Sequence, residues 1–444
     1  MKNHSTIIIG GGWAGLAAAV ELSKHNIPVT VFEAAKQAGG RARTVTHNNT
    51  LLDNGQHLMI GAYHQMLSLL KTININYRDV FLQIPQQLEI IDLNRQTTVF
   101  KLKLPLLPAP INLLTGILSC PSLNLTSKLK TLYKFNKLLK TPLNKDISVE
   151  EWLNTAGLPA EYTNYLLKPL CLAALTTHPH EASARIFQTV LQQTFNGQAS
   201  NTDLLIPAID LGHVFPEAAI KYIESKGGQV FLEHRASKLN AINGKIQSII
   251  VNDETIETTN VILATSAKST EKLLSDIDNC MHIKQQLHNL NYEPVTTIYL
   301  QYNPQVRLPL PMMGAINGIS EWIFDRSICR QPGLIAVVIS ANGLHMTLNN
   351  EQLSAKVATE LAQQFPDWPA AESVMVIREK RATLRCIPDI DHFRPGIQTP
   401  VSNLRLCGDY VYIEENNQPG LPSTLEGAMR SGVKCAQQLI QEYL

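Results

Sequence analysis

No CxxC pair occurs in this 444-residue sequence, although seven cysteines are scattered at positions 120, 171, 280, 329, 386, 407 and 435. Without that spacing there is no zinc-ribbon or dithiol signature, and an odd, dispersed set reads as buried thiols of a reducing compartment. An excess of one charge is missing too. Lys and Arg number 38 against 37 Asp and Glu, a net charge of +1, so no global field recruits nucleic acid. The N-terminus lacks the apolar core and cleavage site of a secretory leader, which sets the expectation of a cytoplasmic protein. Repeats and low-complexity segments are also absent. What remains is 44% apolar and 17% charged, the composition of a globular chain long enough for two or three structural units.

One local departure breaks this balance. From Arg95 to Lys145 there are eight lysines (101, 103, 128, 130, 134, 137, 140 and 145) and no Asp or Glu. Inside that region lies the uncharged 24-residue run LPLLPAPINLLTGILSCPSLNLTS, with prolines at 105, 108, 110 and 121. Each interior proline removes a helix hydrogen bond, so burial or shallow insertion fits this run better than a spanning helix. Lysines flanking an apolar patch suit an anionic membrane surface, with residues 101–140 as the contact; a helical cap with a solvated basic face is the plainer alternative.

The opening TIIIGGGWAG is a β-branched run followed by G-x-G-x-x-G. A buried parallel strand should therefore enter a helix through a turn that holds a pyrophosphate. Gly10 permits the turn, Gly12 admits backbone close to the phosphates, and Gly15 lets helix pack on strand, with Ala14 beside it. A second strand, PVTVFE, ends in Glu33, 18 residues after Gly15 and placed for a ribose. To this point NAD and FAD are served equally. GGRAR adds Gly40 and Arg41 for a diphosphate. LLDNGQH then offers Gly55 for backbone approach to a flat ring. At the far end, CGDYV and a helix carrying Glu426 supply Asp409 for a ribityl hydroxyl. A cofactor held from both ends of the chain is long, which selects FAD.

GGGWAG, Glu33, GGRAR and the C-terminal GD with its EGAxxSG helix resemble the FAD-dependent amine oxidase and phytoene desaturase superfamily. LDNGQH, KPLCLAAL, TDLLIPAIDLGHVFPEAA, WIFDRS, GLIAVVIS and REKRATLRC are similar to its squalene-associated subgroup, the hydroxysqualene dehydroxylases of squalene and hopanoid biosynthesis. The resemblance implies a Rossmann-like α/β FAD domain joined to an α+β substrate domain. It also implies a hydrophobic C30 isoprenoid substrate, an outside electron donor for the flavin, and peripheral attachment at the inner face of the cytoplasmic membrane. GDYVYIEENNQPGLPST is longer and more acidic than the family's usual turn, so residues 411–418 depart from its pattern. The expected boundaries are 1–75, 205–275 and 395–444 for the FAD domain, with Ala236 against adenine, and 76–204 and 276–394 for the substrate domain.

Reductive dehydroxylation needs an acid near the leaving hydroxyl and aromatic faces beside the allylic cation. His57, as an imidazolium, is the first candidate acid, and Asp203, whose neutral form an apolar tunnel would favour, is the second. Tyr63, Trp322, Phe324 and Tyr410 are the candidate aromatics, with ordinary packing as the alternative. Arg378, Lys380 and Arg381 on the strand REKRATLR are candidates for pairing near the cofactor, or else an exposed charged strand. His178 and His180 are separated by a proline, which spoils helix-face ligand spacing, and no metal is expected. Desaturation of squalene or a related polyprene is the second enzymatic reading. A non-catalytic isoprenoid carrier of the same fold is the third.

Overall fold

The structure is a computed structural model, and it describes residues 6–47, 50–105, 107, 111–119, 124–195, 197–413 and 420–443. Five parallel strands form one sheet in the order Gln229–Phe231, Val29–Phe32, Thr6–Ile9, Asn260–Leu263 and Leu404–Leu406. The central strand, Thr6–Ile9, is buried along its whole length, which is why its residues are β-branched rather than alternating. Helices Trp13–Lys24 and Leu425–Tyr443 pack together over this sheet. A Cβ on Gly432 would lie 2.1 Å from the Ala14 carbonyl oxygen, so glycine is what lets the two helices touch.

A second sheet has seven strands, ordered Ser373–Leu384, Tyr292–Gln301, Leu334–Ser340, Trp322–Asp325, Met312–Ile316, Gln87–Asp92 and Thr97–Lys103. All its pairs are antiparallel except the junction of Met312–Ile316 with Gln87–Asp92. Helix Asn350–Gln364 covers one face. Its Leu353, Val357 and Leu361 are fully buried against Ile298, Ile323, Val337 and Ile339, as their i, i+4, i+8 spacing requires. The opposite face, with Tyr299, Trp322, Phe324 and Val338, belongs to the core it shares with the nucleotide-type sheet. A small three-stranded sheet of Met59–Ile60, Leu204–Pro207 and Phe81–Ile84 ties the two regions together.

Local capping follows the sequence. Ser148 accepts the Glu151 N–H at 3.2 Å to start helix Val149–Ala156, which ends at Gly157 with φ +60°. The lysine-rich region folds into helices Ile111–Ser119 and Leu125–Lys140. No helix among the described residues is long and apolar enough to cross a membrane.

Candidate functional site

The glycine loop has the stereochemistry its motif requires. Gly10 has φ +112°, and a Cβ there would sit 2.6 Å from the Ala264 carbonyl oxygen. A Cβ on Gly15 would lie 2.0 Å from the Gly10 carbonyl oxygen, so helix and strand approach only because both residues are glycine. Gly12 differs. It precedes helix Trp13–Lys24 with φ −74° and ψ 177°, and that helix start has neither a side-chain cap nor an acidic residue in its first turn. Among the described residues outside its chain neighbours, only the Gly40 Cα stands beside a Gly12 Cβ position, 3.9 Å away. Open N–H groups, a positive helix end and room for close approach form an anion cradle.

Glu33 lies at one side of this cradle. Its carboxylate accepts the Gly11 N–H at 2.7 Å and the Ala35 N–H at 2.8 Å, leaving lone pairs for a ribose. The backbone of Phe231 and His234 bonds to Glu33, which brings the segment leading to Ala236 alongside it. On the other side, Arg41 Nη2 donates to Asp409 Oδ1 at 2.5 Å, and Arg41 Nη1 donates to the Ala382 carbonyl at 2.9 Å. The Ser423 hydroxyl donates to the other Asp409 oxygen. Burial penalises the Asp409 charge, but Arg41, Ser423 and Arg394 together hold its pKa below the ordinary carboxylate value. Glu33, Gly12, Gly40, Arg41 and Asp409 thus form one continuous path, and the residues fit an FAD along it.

Asn54 continues that path, bonding through its backbone N–H to the Arg43 carbonyl at 2.9 Å and through its side chain to the Arg41 carbonyl at 3.3 Å. Next come Gly55 and His57. His57 Nδ1 lies 2.6 Å from the Gly55 carbonyl, which can only accept, so Nδ1 carries the proton. Burial pushes the imidazole pKa down, and Arg41 adds to the fall against the pull of the Gly55 carbonyl and Asp53. Near neutral pH the ring is therefore uncharged and presents Nε2 as an acceptor, which differs from the imidazolium donor expected above. Asp203 behaves oppositely. Burial pushes its carboxyl up, although Gln83 Nε2 donates to it at 2.7 Å. The two candidate acids are not neighbours, because strand pairing sets Asp203 beside Gly61 and leaves His57 beyond the Met59–Leu205 pair.

Other expected residues have different tasks. Glu426 accepts the Gln65 and Met66 N–H groups at 2.9 and 3.0 Å, so it caps helix His64–Thr72 instead of turning toward the cradle. Tyr63, half-buried, precedes that helix. Ala14 is helix-packing surface. Tyr410 is fully buried, with its hydroxyl 2.9 Å from Thr270 Oγ1 and its ring folded back on Gly408, so it has no face to offer a substrate. Trp322 and Phe324 share the sheet face nearest Gly55 and are 6% and 5% exposed. Arg378 caps the His345 and Leu348 carbonyls at 3.2 and 2.9 Å, away from Arg41. The rings of His178 and His180 stack at 5.6 Å, and no three His, Cys, Asp or Glu among the described residues are grouped to hold a metal. Residues 414–418 of the long C-terminal turn lie outside the described residues.

Sequence reasoning missed two buried arginines. Arg326, 1% exposed, donates to Asp53 at 2.8 Å and to Gln56 at 2.6 Å, fixing both ends of the Asn54–Gly55 turn. Arg394 donates to the carbonyls of Asp409, Tyr410, Val411 and Leu421 and so holds the segment around Asp409. WIFDRS carries Arg326, but no local spacing links it to DNGQH.

A family model described as flavin containing amine oxidoreductase matches residues 13–440. The chain is 28% identical over 447 residues to a hydroxysqualene dehydroxylase of Rhodopseudomonas palustris, covering 98% of this chain and 97% of that one. It is 27% identical to another of Sinorhizobium fredii, with 98% of each covered, and 24% identical to a 15-cis-phytoene desaturase of Glycine max, covering 100% and 80%. Among solved structures, an oxidoreductase from Methanosarcina mazei superimposes with a TM-score of 0.77 at 17% identity, covering 98% and 100% of the two chains. A putrescine oxidase superimposes at 0.74 and 18% identity, with 99% of each chain covered.

Proposed function

Because the chain belongs to the flavin containing amine oxidoreductase family and is an FAD-dependent oxidoreductase, we propose that it removes the hydroxyl of hydroxysqualene to give squalene. The observation that carries this reading is the end-to-end similarity to hydroxysqualene dehydroxylases, which spans both sheets rather than the nucleotide loop alone. The reaction replaces a C–OH bond by C–H. A proton converts the hydroxyl to departing water, and FAD, in its two-electron-reduced form, supplies the hydride that completes the product.

The residues of this chain do the rest. Asp203 is the assigned acid, since burial favours the protonated carboxyl that His57 does not match. Trp322 and Phe324 lend aromatic faces to the allylic cation without a nucleophile that would trap it. Arg41 and Asp409 hold the cofactor, and the shared apolar core excludes water. The domain division given above is supported by the sorting of strands into two sheets.

The test is anaerobic. Pre-reduced protein mixed with hydroxysqualene should reoxidise its flavin and release squalene, while Asp203→Asn retains flavin and loses at least a hundredfold in rate, the lower range for general acid catalysis. In the wild type the rate should fall as pH rises through the Asp203 pKa, which lies above the ordinary aspartate value of about 3.9. No reoxidation and no squalene would sink the proposal. Desaturation of squalene under oxidising conditions is the competing outcome, favoured by the similarity to phytoene desaturases. The flavin-binding residues set the non-catalytic carrier aside.

Substrate collection at a membrane belongs to the same proposal. On helix Leu125–Lys140, Leu125, Leu129 and Tyr133 recur every fourth residue and are 67%, 57% and 72% exposed. Ile111 and Leu118 are exposed on the adjacent helix, and Lys128, Lys130, Lys137 and Lys140 flank them in a region without acids. Each lysine near an anionic surface contributes about 1 kcal/mol. A Leu129→Glu/Tyr133→Glu variant should therefore sediment with anionic vesicles at least tenfold less at low salt and keep its thermal midpoint. Equal sedimentation of the two proteins would remove the membrane role.

A further inference from the structure

The face of the seven-stranded sheet that meets the nucleotide region carries a buried threonine hydroxyl whose purpose the polypeptide does not explain. Strand register aligns Ile377, Thr297, Val338, Trp322, Gly314 and Ile90 in a single cross-strand row. Thr297, 1% exposed, is the only hydroxyl in this row, and its Oγ1 finds no hydrogen-bond partner among the described residues. Two polar neighbours on the same face, Tyr299 and Glu379, do have partners. Tyr299 donates to the Asp53 carbonyl at 2.9 Å, and Glu379 accepts from Asn54 at 3.3 Å. A valine would fill the same volume without a desolvated hydroxyl, so a buried threonine here calls for a partner from outside the chain.

The oxygen points at a defined place. It lies 3.7 Å from the position a Cβ would take on Gly55, where the other near atom is His57 Cε1 at 3.9 Å. Gly55 directly follows Asn54, which is tied to Arg41 and Arg43. Thr297 Oγ1 therefore lies at the Asn54–Gly55 turn, with Gly12 and Arg41, expected at the diphosphate, and Asp409, expected at a ribityl hydroxyl, on one side and the apolar face of Trp322 and Phe324 on the other. A flavin ring lying beyond the diphosphate would come against this turn, and the edge turned toward this sheet would face a substrate held on the same sheet.

We propose that the Thr297 hydroxyl is the protein's hydrogen-bond partner to flavin N5. The residue type fits the task, because a hydroxyl both donates and accepts. It donates to the N5 lone pair of oxidised flavin and accepts the N5–H of reduced flavin without a change of rotamer. The inference rests on the FAD reading of the site and adds to it the residue that sets the electronic state of the ring.

The test uses the full chain loaded with 15N-labelled FAD. In the wild type, the N5 resonance should lie at the hydrogen-bonded position in both redox states, judged against free flavin in water and in aprotic solvent. Thr297→Ser should preserve it. Thr297→Val should move it to the aprotic position and shift the flavin midpoint potential, with flavin stoichiometry unchanged. An aprotic N5 position in the wild type, or a loaded T297V protein with the wild-type resonance and potential, overturns the proposal. If T297V does not fold, the wild-type and T297S resonances decide by themselves. A wild-type chain that retains no flavin overturns the cofactor reading along with this contact, whereas a loaded chain with an unbonded N5 overturns the contact alone.

Discussion

An Asp53→Ala variant is expected to lose about 3–5 kcal/mol of stability, because it strands a buried guanidinium. Asp53 is 0% exposed and Arg326 is 1% exposed, and their 2.8 Å contact is one of several that converge on the aspartate. Its second oxygen accepts the Leu211 N–H at 2.8 Å, and its carbonyl accepts the Tyr299 hydroxyl at 2.9 Å. Arg326 in turn donates from Nε to Gln331 at 2.8 Å. Taking away the carboxylate leaves the cation without its counter-charge and frees the turn that carries Gly55 and His57. Replacing both partners by apolar residues, Asp53→Leu with Arg326→Met, should recover most of the loss, since the desolvation penalty disappears along with the attraction. Denaturant unfolding of the two singles and the double measures this directly. A single-variant loss under about 1 kcal/mol would show that the pair is solvated and behaves like a surface ion pair.

The same cluster shows what can be read from sequence and what cannot. Gly10, Gly12, Gly15 and Glu33 lie within one strand, helix and strand, so their geometry is local and their order along the chain is already their order in space. Arg41 and Asp409 were each legible as cofactor residues from short motifs, but their mutual contact spans 368 positions and only the folded sheet shows it. Arg394 and Thr297 have no motif, and Arg326, although it sits in WIFDRS, has no spacing that links it to DNGQH. The place of Thr297 comes from strand register, including the parallel junction between Met312–Ile316 and Gln87–Asp92, which no turn signal announces, and the two arginines lie in short turns whose partners Asp53 and Leu421 are distant in sequence. The charge of His57 was hidden for another reason. Its sequence neighbours show an imidazole in a turn of small and polar residues, yet the charge it carries depends on how much water it loses and on Arg41 nearby. Glu426 and Tyr410 sit in correctly located blocks, but helix capping and core packing claim their polar atoms.

Gly12 and Gly15, three residues apart in one motif, should respond to the same substitution in opposite ways. Gly15→Ala puts a methyl 2.0 Å from the Gly10 carbonyl oxygen and 2.9 Å from the Ala264 side chain, with backbone on one side and a packed strand on the other. Neither can yield without parting helix from sheet, so the flavin-free protein itself should be destabilised by about 1–3 kcal/mol, as overpacked sites generally are. Gly12→Ala meets nothing nearer than 3.9 Å and keeps a φ of −74°, which any residue adopts. Its flavin-free chain should melt within about 2 °C of the wild type, since its contacts and backbone conformation are unchanged. The methyl instead fills the gap through which a diphosphate approaches the N–H groups of helix Trp13–Lys24. Flavin content after purification should then fall at least tenfold, a loss of about 1.4 kcal/mol or more in binding. Visible absorbance reports the cofactor and thermal melting of the flavin-free proteins reports the fold, so the two measurements separate the two roles. If Gly12→Ala kept its flavin, the diphosphate would have to lie elsewhere than at this helix start, and the path from Glu33 to Thr297 would lose its middle.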